Sequence, residues 1–409
     1  MLTQHFGDIP WIPTTVTGTT PYLGFEREPR SKIVTEILKD IDEAIEALPL
    51  PAAGYTDGHA IKSSAIMLKV RILMANQRYA EAVTASESLI KNPSNPHRIA
   101  DDFEGIFYNK QKDNREIIFS VQFAGATDGH GYDFYVASRM SCYPLVDLAL
   151  AYGKKANGDP DPRLRYTMFI VGDPWVMNDK NGIGSSGTYT YPNGLGTFSF
   201  TGGTFPPRQR IDGGNGVQTY PQTSTDGTTL PASNLAWKKG VNRTLVDPRD
   251  TKGSAQHRVM MRYADLLLMY AEAKVEVAGG TSTDADALAA FNSVRTRPGV
   301  GMPVETVLTR DIVRKERRVE LAYEGIRLYD LMRWGNAKEL INTRLAADNR
   351  TVIGGKVTSV THTTNTNEAS AVGGNGLVCI ICKWRGNYWM IPQNEMNIMT
   401  GWQQNVLQD

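Results

Sequence analysis

Cysteine is nearly absent: three residues in a chain of 409 cannot staple a small fold, so the chain must rely on a large buried core. Charge of one sign is missing too. Lys plus Arg number 44 against 43 for Asp plus Glu, a net charge of +1, and so no whole-molecule field attracts nucleic acid. Apolar runs are short. LLLMYA (266–271) and GLVCIIC (376–382) fall well below the roughly 20 residues that span a bilayer, which excludes a membrane-crossing helix. The start, MLTQHFGDIPW, has neither the basic nor the apolar stretch of a secretory signal. Histidine is scarce, and His5, His59, His97, His130, His257 and His362 show no H-x-x-x-H or other short ligand spacing. With no G-x-S-x-G elbow either, zinc and serine hydrolase machinery is not visible.

The apolar residues that are present fall at helical spacing. Ile33, Ile37, Leu38, Ile41, Ala44, Ile45 and Leu48 predict a helix over 31–48, ended by Pro49, Pro51 and Gly54. Helices over 62–76 and 79–91, joined at Gln77-Arg78, predict an antiparallel hairpin close to the roughly 34-residue tetratricopeptide unit. Ala75, Ala82 and Ala85 would let its helices approach closely. Residues 263–278 with 285–297, and 310–323 with 327–340, predict two more hairpins. The expected fold class is mostly α: tetratricopeptide-like hairpins packed as a scaffold, which supports a large irregular region with short strands.

That irregular region spans 97–256. Between Gly172 and Gly216 lie 11 of the 38 glycines, and no helical period survives. Trp175, Tyr189, Tyr191, Phe198, Phe200, Phe205 and Tyr220 are spread through it, a ring content that disordered linkers lack. We therefore divide one integrated domain into a helical part at 1–96, this aromatic- and glycine-rich part at 97–256 and a second helical part at 257–409. Residues 349–376, rich in Thr, Asn and Gly but free of rings, read as a solvated excursion.

Several short motifs lose their chemistry when weighed in context. GIGSSG (182–187) fits G-x-G-x-x-G, but TYTYPNG follows it and promises a strand where a nucleotide site needs a helix N-terminus. Cys379 and Cys382 fit C-x-x-C within LVCIICKW, which reads as a buried strand with free thiols, and Cys142 supplies no second ligand pair for zinc. Asp159/Asp161 and Asn178/Asp179/Asn181 miss the calcium-loop spacing and read as turn residues. No cofactor and no metal are expected.

The densest charge lies in RKERRVELAYEGIRLYDLMRWG (314–335). On one continuous helix Glu316, Glu320 and Glu324 would share a face, as the carboxylate pair of a glycosidase must. Arg317, Arg318 and Arg327 are interleaved with them, however. Guanidinium neighbours lower a carboxyl pKa, which suits ion pairs and spoils a proton donor. The expected role is a structural network and the protein is expected not to be an enzyme; Tyr329 and Trp334 should lock the hairpin to its neighbour.

The same stretch closely resembles the C-terminal signature of the SusD/RagB family of outer-membrane nutrient-binding lipoproteins. GDIPW (7–11), SKIVTEILKDIDEAIEALP (31–49), RYAEAVTASESLI (78–90), DPRLR (161–165), MRYADLLLMYAEA (261–273) and WMIPQNEMN (389–397) agree in order. The resemblance implies a tetratricopeptide-containing scaffold, cell-surface location and a SusC-like TonB-dependent transporter as partner. Its ligand would be an oligosaccharide, or in some members a peptide. Family members begin with a lipoprotein signal and further helices before the GDIPW-like segment, so the resemblance implies an N-terminal lipid anchor and further helices that this chain lacks. A sugar offers an apolar C–H face and a rim of hydroxyls, which flat rings and polar groups recognise together. From their region alone, Trp175, Tyr189, Tyr191 and Trp237 are the candidate platforms.

Overall fold

The computed structural model describes residues 2–12, 15, 17, 25–51, 58–108, 111, 114–124, 128–130, 146–170, 235–240, 254–337 and 339–340, plus the backbone of short strands between 187 and 230. Trp175, most of GIGSSG, all three cysteines, the amides and acid at 178–181 and everything beyond 340 lie outside these residues.

After a short α1 (Leu2–Phe6), helices α2 (Arg30–Ala47), α3 (Lys62–Ala75) and α4 (Tyr79–Ile90) follow the apolar periodicity read from the sequence. Gln77 closes the turn between α3 and α4 in the left-handed region, at φ 57°, while its side-chain amide donates to the Arg333 carbonyl at 3.2 Å. Strand β1 (Ile117–Val121) comes next, followed by α5 (Val146–Ala151), α6 (Arg163–Thr167) and β2 (Met168–Ile170).

The glycine-rich stretch contributes β3 (Gly187–Tyr191), β4 (Gly196–Phe200) and the two-residue strands β5 (Arg208–Gln209), β6 (Val217–Gln218), β7 (Gln222–Thr223) and β8 (Thr229–Leu230). It closes with β9 (Leu235–Trp237). Strand β10 (Arg258–Arg262) then leads directly into α7 (Tyr263–Val277). After β11 (Thr281–Ser282) come α8 (Ala285–Arg295), β12 (Leu308–Thr309), α9 (Arg310–Glu320) and α10 (Arg327–Arg333).

Helix α7 is the centre of the scaffold. It packs against α4 on one side and α8 on the other, and α2, α3 and α4 form consecutive neighbours, so hairpins far apart in sequence share one core. Leu266, Leu268, Tyr270, Ala271, Ala273 and Val275 of α7 are fully enclosed. They meet Met67, Val70 and Leu73 of α3, Leu89 of α4, and Phe291 and Val294 of α8 in the same cluster. Of the small residues expected to let the helices approach, Ala82 and Ala85 are buried and Ala75 is half-buried. Side-chain caps fix two helix starts, Asp284 accepting from the Ala287 amide at 2.9 Å and Thr309 from the Ile312 amide at 3.3 Å.

Two predicted helices end early. The expected helix over 310–323 stops at Glu320, where the Leu321 amide closes on the Arg317 carbonyl, and Tyr323 turns left-handed at φ 63°. The expected helix over 327–340 breaks after Arg333, with Gly335 at φ 73°. Glu324 therefore sits on a turn and not on the helical face that carries Glu316 and Glu320.

The irregular region is tied at a neck. Strands β2 and β9 pair antiparallel with Met168 opposite Trp237, Phe169 opposite Ala236 and Ile170 opposite Leu235. Ile170 and Leu235, the residues that bracket 171–234, are thus neighbours across one strand pair. No helix among the described residues is long and apolar enough to cross a membrane.

Truncating Leu268 to alanine in this core should lower the unfolding free energy by about 2–5 kcal/mol. The same change at the exposed Leu68 should move it by less than about 0.5 kcal/mol, as read from denaturant titrations.

Candidate binding site and its buried ionic base

Five charged residues of the stretch that suggested two opposite roles, Glu316, Arg317, Glu320, Asp330 and Arg333, are buried in the protein interior. Glu320 has no exposed surface, and neither has Arg163. Arg297 reaches the Glu320 carboxylate at 2.5 Å, Arg262 at 2.7 Å and Arg163 at 2.8 Å. These guanidiniums come from three separate places: the start of α6, the end of β10 and the turn after α8.

Their remaining donors are used too. Arg163 is held by Asp161 at 2.7 Å and by Glu316, which Arg295 also bonds at 2.6 Å. Arg262 and Arg297 share Glu116 at 2.7 and 2.9 Å. Arg262 also bonds Glu324 at 2.7 Å. Lys239 completes the group, donating to Glu324 at 2.7 Å and to the Glu320 carbonyl at 2.9 Å. Its ammonium lies 4.4 Å from the centre of the Phe107 ring, a cation–π contact that replaces some of the lost water. Every carboxylate named here has a cation against it.

A second cluster lies one helical turn away along α9. Arg317 bonds Asp265 at 2.9 Å and Asp330 at 3.0 Å. Arg333 grips Glu272 with two nitrogens and Asp330 with two, Nη2 serving both, the fork geometry that guanidinium favours. Trp334 donates its indole N–H to Glu272 at 2.6 Å, and Tyr329 meets His5 at 3.3 Å. Both rings thus join the third hairpin to its neighbours, as the sequence suggested.

These contacts decide the chemistry of the glutamates. Burial alone would raise the Glu320 carboxyl, but Arg297, Arg262 and Arg163 outweigh it and hold the group well below the usual carboxylate range. Glu324 is lowered in the same way, burial being overcome by Arg262 and Lys239. A glycosidase acid needs the reverse shift and an open face for sugar. The enclosed Glu320 offers neither. Asp161, the half of the Asp159/Asp161 pair considered for calcium, is committed to Arg163, and Asp159 lies in the turn closed by the Lys155 amide on its carbonyl at 2.7 Å. Among the described residues no cluster of His, Cys, Asp and Glu could hold a metal ion.

The neck stands on this ionic base. Arg163 belongs to α6, which runs straight into β2, while Lys239 lies two residues beyond the end of β9. The amides of Lys238 and Lys239 both donate to the Thr167 carbonyl, at 3.0 and 3.1 Å, and the Lys238 ammonium bonds Glu104 at 3.0 Å. Both strands of the neck are therefore anchored at their scaffold ends.

Of the four candidate platforms, Trp237 is half-buried at this neck, with one face stacked on Tyr323 at 4.4 Å between ring centres. Tyr189 and Tyr191 lie further out on β3, where the backbone register sets Tyr189 opposite Phe198, Tyr191 opposite Gly196 and Gly187 opposite Phe200. The strand expected after GIGSSG is thus present. The structure does not bring the four platforms into one described site, since Trp175 lies outside the described residues. Sequence reasoning missed Glu116, Arg262, Arg297 and Lys239. The signal was there in part: Glu116 abuts the apolar run IIF, and Arg262 heads the apolar helix α7, positions where an unpaired charge would be costly.

Two outcomes follow. Replacing Glu320 by glutamine leaves three buried guanidiniums short of a counter-charge and should destabilise the fold by about 3–5 kcal/mol in denaturant titration. The pH profile should fall on the acid side. Glu320, Glu324, Asp265 and Glu272 are more acidic folded than unfolded, so below the ordinary carboxylate range the unfolded chain binds more protons. His97, pulled down to about 4 by burial from 6.5, adds a shallower loss that begins near its unfolded value. Calorimetric melting temperatures should hold at neutral pH, decline gently below about pH 6.5 and drop steeply below about pH 4.5.

Residues 151–407 match the family model described as the SusD family. The curated SusD-like protein P2 of Formosa agariphila is 24% identical over 348 residues, which cover 81% of this chain and 62% of P2. SusD-like protein P25 of the same organism is 26% identical over 325 residues, covering 76% and 56%. The chain thus spans about three fifths of these relatives' length. A SusD-like carbohydrate-binding protein from Bacteroides fragilis superposes with a TM-score of 0.69 at 22% identity, over 97% of this chain and 76% of that one. Surface glycan-binding protein A from Bacteroides fluxus gives 0.60 at 20% identity, over 99% and 74%. A structure determined with a xylogluco-oligosaccharide gives 0.58 at 18% identity, over 84% and 64%. The family model covers more than half of the chain, and the chain belongs to the SusD family.

Proposed function

We propose that this protein captures oligosaccharides at the outer-membrane surface and passes them to a SusC-like TonB-dependent transporter. The observation that carries the reading is the residue pattern of the β3–β4 hairpin. Directly opposed residues of an antiparallel pair share a face. The register therefore puts Tyr189, Tyr191, Phe198 and Phe200 at positions of one face, and Thr188, Thr190, Thr197 and Ser199 at positions of the other. A strand pair sorted this way suits a ligand that needs ring stacking from one surface and hydroxyl chemistry nearby, as sugars do.

Solved relatives described as carbohydrate- or glycan-binding support the same ligand class. Trp175 and Trp237, at the start and end of the excursion, are the other proposed contacts. Stacking and hydroxyl hydrogen bonds on a water-exposed surface give moderate affinity, which suits a protein that must release its ligand to a transporter.

Calorimetry against maltoheptaose, laminarihexaose, mannohexaose and xyloglucan oligosaccharides tests this. Trp175→Ala and Tyr191→Ala should each weaken the tightest of these by about fivefold or more. Unchanged affinity in both would remove them from the site, and binding to a peptide array with no glycan bound would favour peptide capture. Copurification of the full-length protein with a large β-barrel is the outcome expected of the transporter partnership.

A further inference from the structure

The turn after α9 contains a residue that its backbone does not favour. Tyr323 sits at φ 63°, where a Cβ crowds the chain and glycine or asparagine is the usual occupant. The same turn uses glycine two positions later, at Gly325 with φ 75°. A bulky residue kept in such a conformation points to a use for its side chain.

The use is visible at the neck. The Tyr323 ring lies on the indole of Trp237 with centres 4.4 Å apart and planes 21° from parallel. Both rings rise from backbone that the ionic base has already fixed. Tyr323 precedes Glu324, which Arg262 and Lys239 hold at 2.7 Å each. Trp237 precedes Lys238 and Lys239, the second of which donates to that same Glu324. The stack therefore closes a small circuit: Trp237 to Lys239 along the chain, Lys239 to Glu324 by charge, Glu324 to Tyr323 along the chain, and Tyr323 back to Trp237 by ring contact. One face of the indole is thereby covered and its plane is set.

We propose that Tyr323 is a positioning residue of the glycan site, holding the Trp237 indole in the orientation from which it meets sugar. This rests on the glycan reading above. It goes further by giving a role to a residue of the scaffold signature that contacts no ligand itself.

The test uses 5-fluorotryptophan-labelled protein, with the Trp237 resonance assigned through Trp237→Phe. Tyr323→Gly keeps the left-handed turn and removes the ring; Tyr323→Phe keeps the ring. Wild type and Tyr323→Phe should give one sharp Trp237 line, and Tyr323→Gly a shifted and broadened one. For the tightest oligosaccharide of the panel named above, Tyr323→Gly should raise the Kd about three- to tenfold, with rescue by Tyr323→Phe. Its melting temperature should fall little, because the strained backbone is relieved as the contact is lost. Should the glycine variant not fold, Tyr323→Asn, which also tolerates this backbone, repeats the measurement.

An unmoved Trp237 line in Tyr323→Gly overturns the positioning role outright, and a moved line with unchanged Kd overturns its bearing on ligand. Wild-type protein that binds no glycan of the panel brings down the glycan reading itself, and this inference with it.

Discussion

The enclosure of one carboxylate by three guanidiniums, Glu320 by Arg163, Arg262 and Arg297, is the constraint that organises this molecule. Apolar contacts in the core tolerate sliding, because burial is nearly indifferent to direction. A buried ion does not, since an unpaired charge in the interior is severely penalised. The three arginines arrive from the base of the neck, from the strand that leads into α7 and from the end of the α8 hairpin, so satisfying Glu320 fixes all three segments at once. Such a cluster need not be more stable than a well-packed apolar substitute. What it supplies is relative position.

Position matters because the proposed contacts, the β3–β4 hairpin and Trp237, belong to the segment that the β2–β9 pair closes. Arg163 lies in the helix before β2 and Lys239 two residues after β9. The ionic base thus has the work that an active site's charges would have elsewhere, without the chemistry. Glu320 and Glu324 are held ionised by their arginine and lysine neighbours, and the proposed sugar contacts are rings at the neck and on the β3–β4 hairpin.

Much of the scaffold was legible in the sequence because its helices are amphipathic or uniformly apolar at a 3.6-residue period and carry recognisable stops, as Pro49 and Asn92-Pro93 do. The end of α9 was not. Its terminating left-handed residue is a tyrosine, and no local propensity rule stops a helix at RVELAYE. The ion pairs were legible in kind, since arginines crowd the glutamates in sequence, but not in partner: Arg163 and Glu320 are 157 residues apart, and only the packing of hairpins brings them together. The strand after GIGSSG could be read from the alternation in TYTY. The Trp237–Tyr323 stack could not, because it joins the excursion to a turn that sequence reasoning had placed inside a helix.

A crystal structure of the full-length protein with a bound oligosaccharide tests the central claim most directly. On this account sugar density lies along the β3–β4 hairpin and against the Trp237 indole, while Glu320 stays enclosed by its three arginines. Sugar seated against Glu316 and Glu320, with those arginines turned aside, would contradict it.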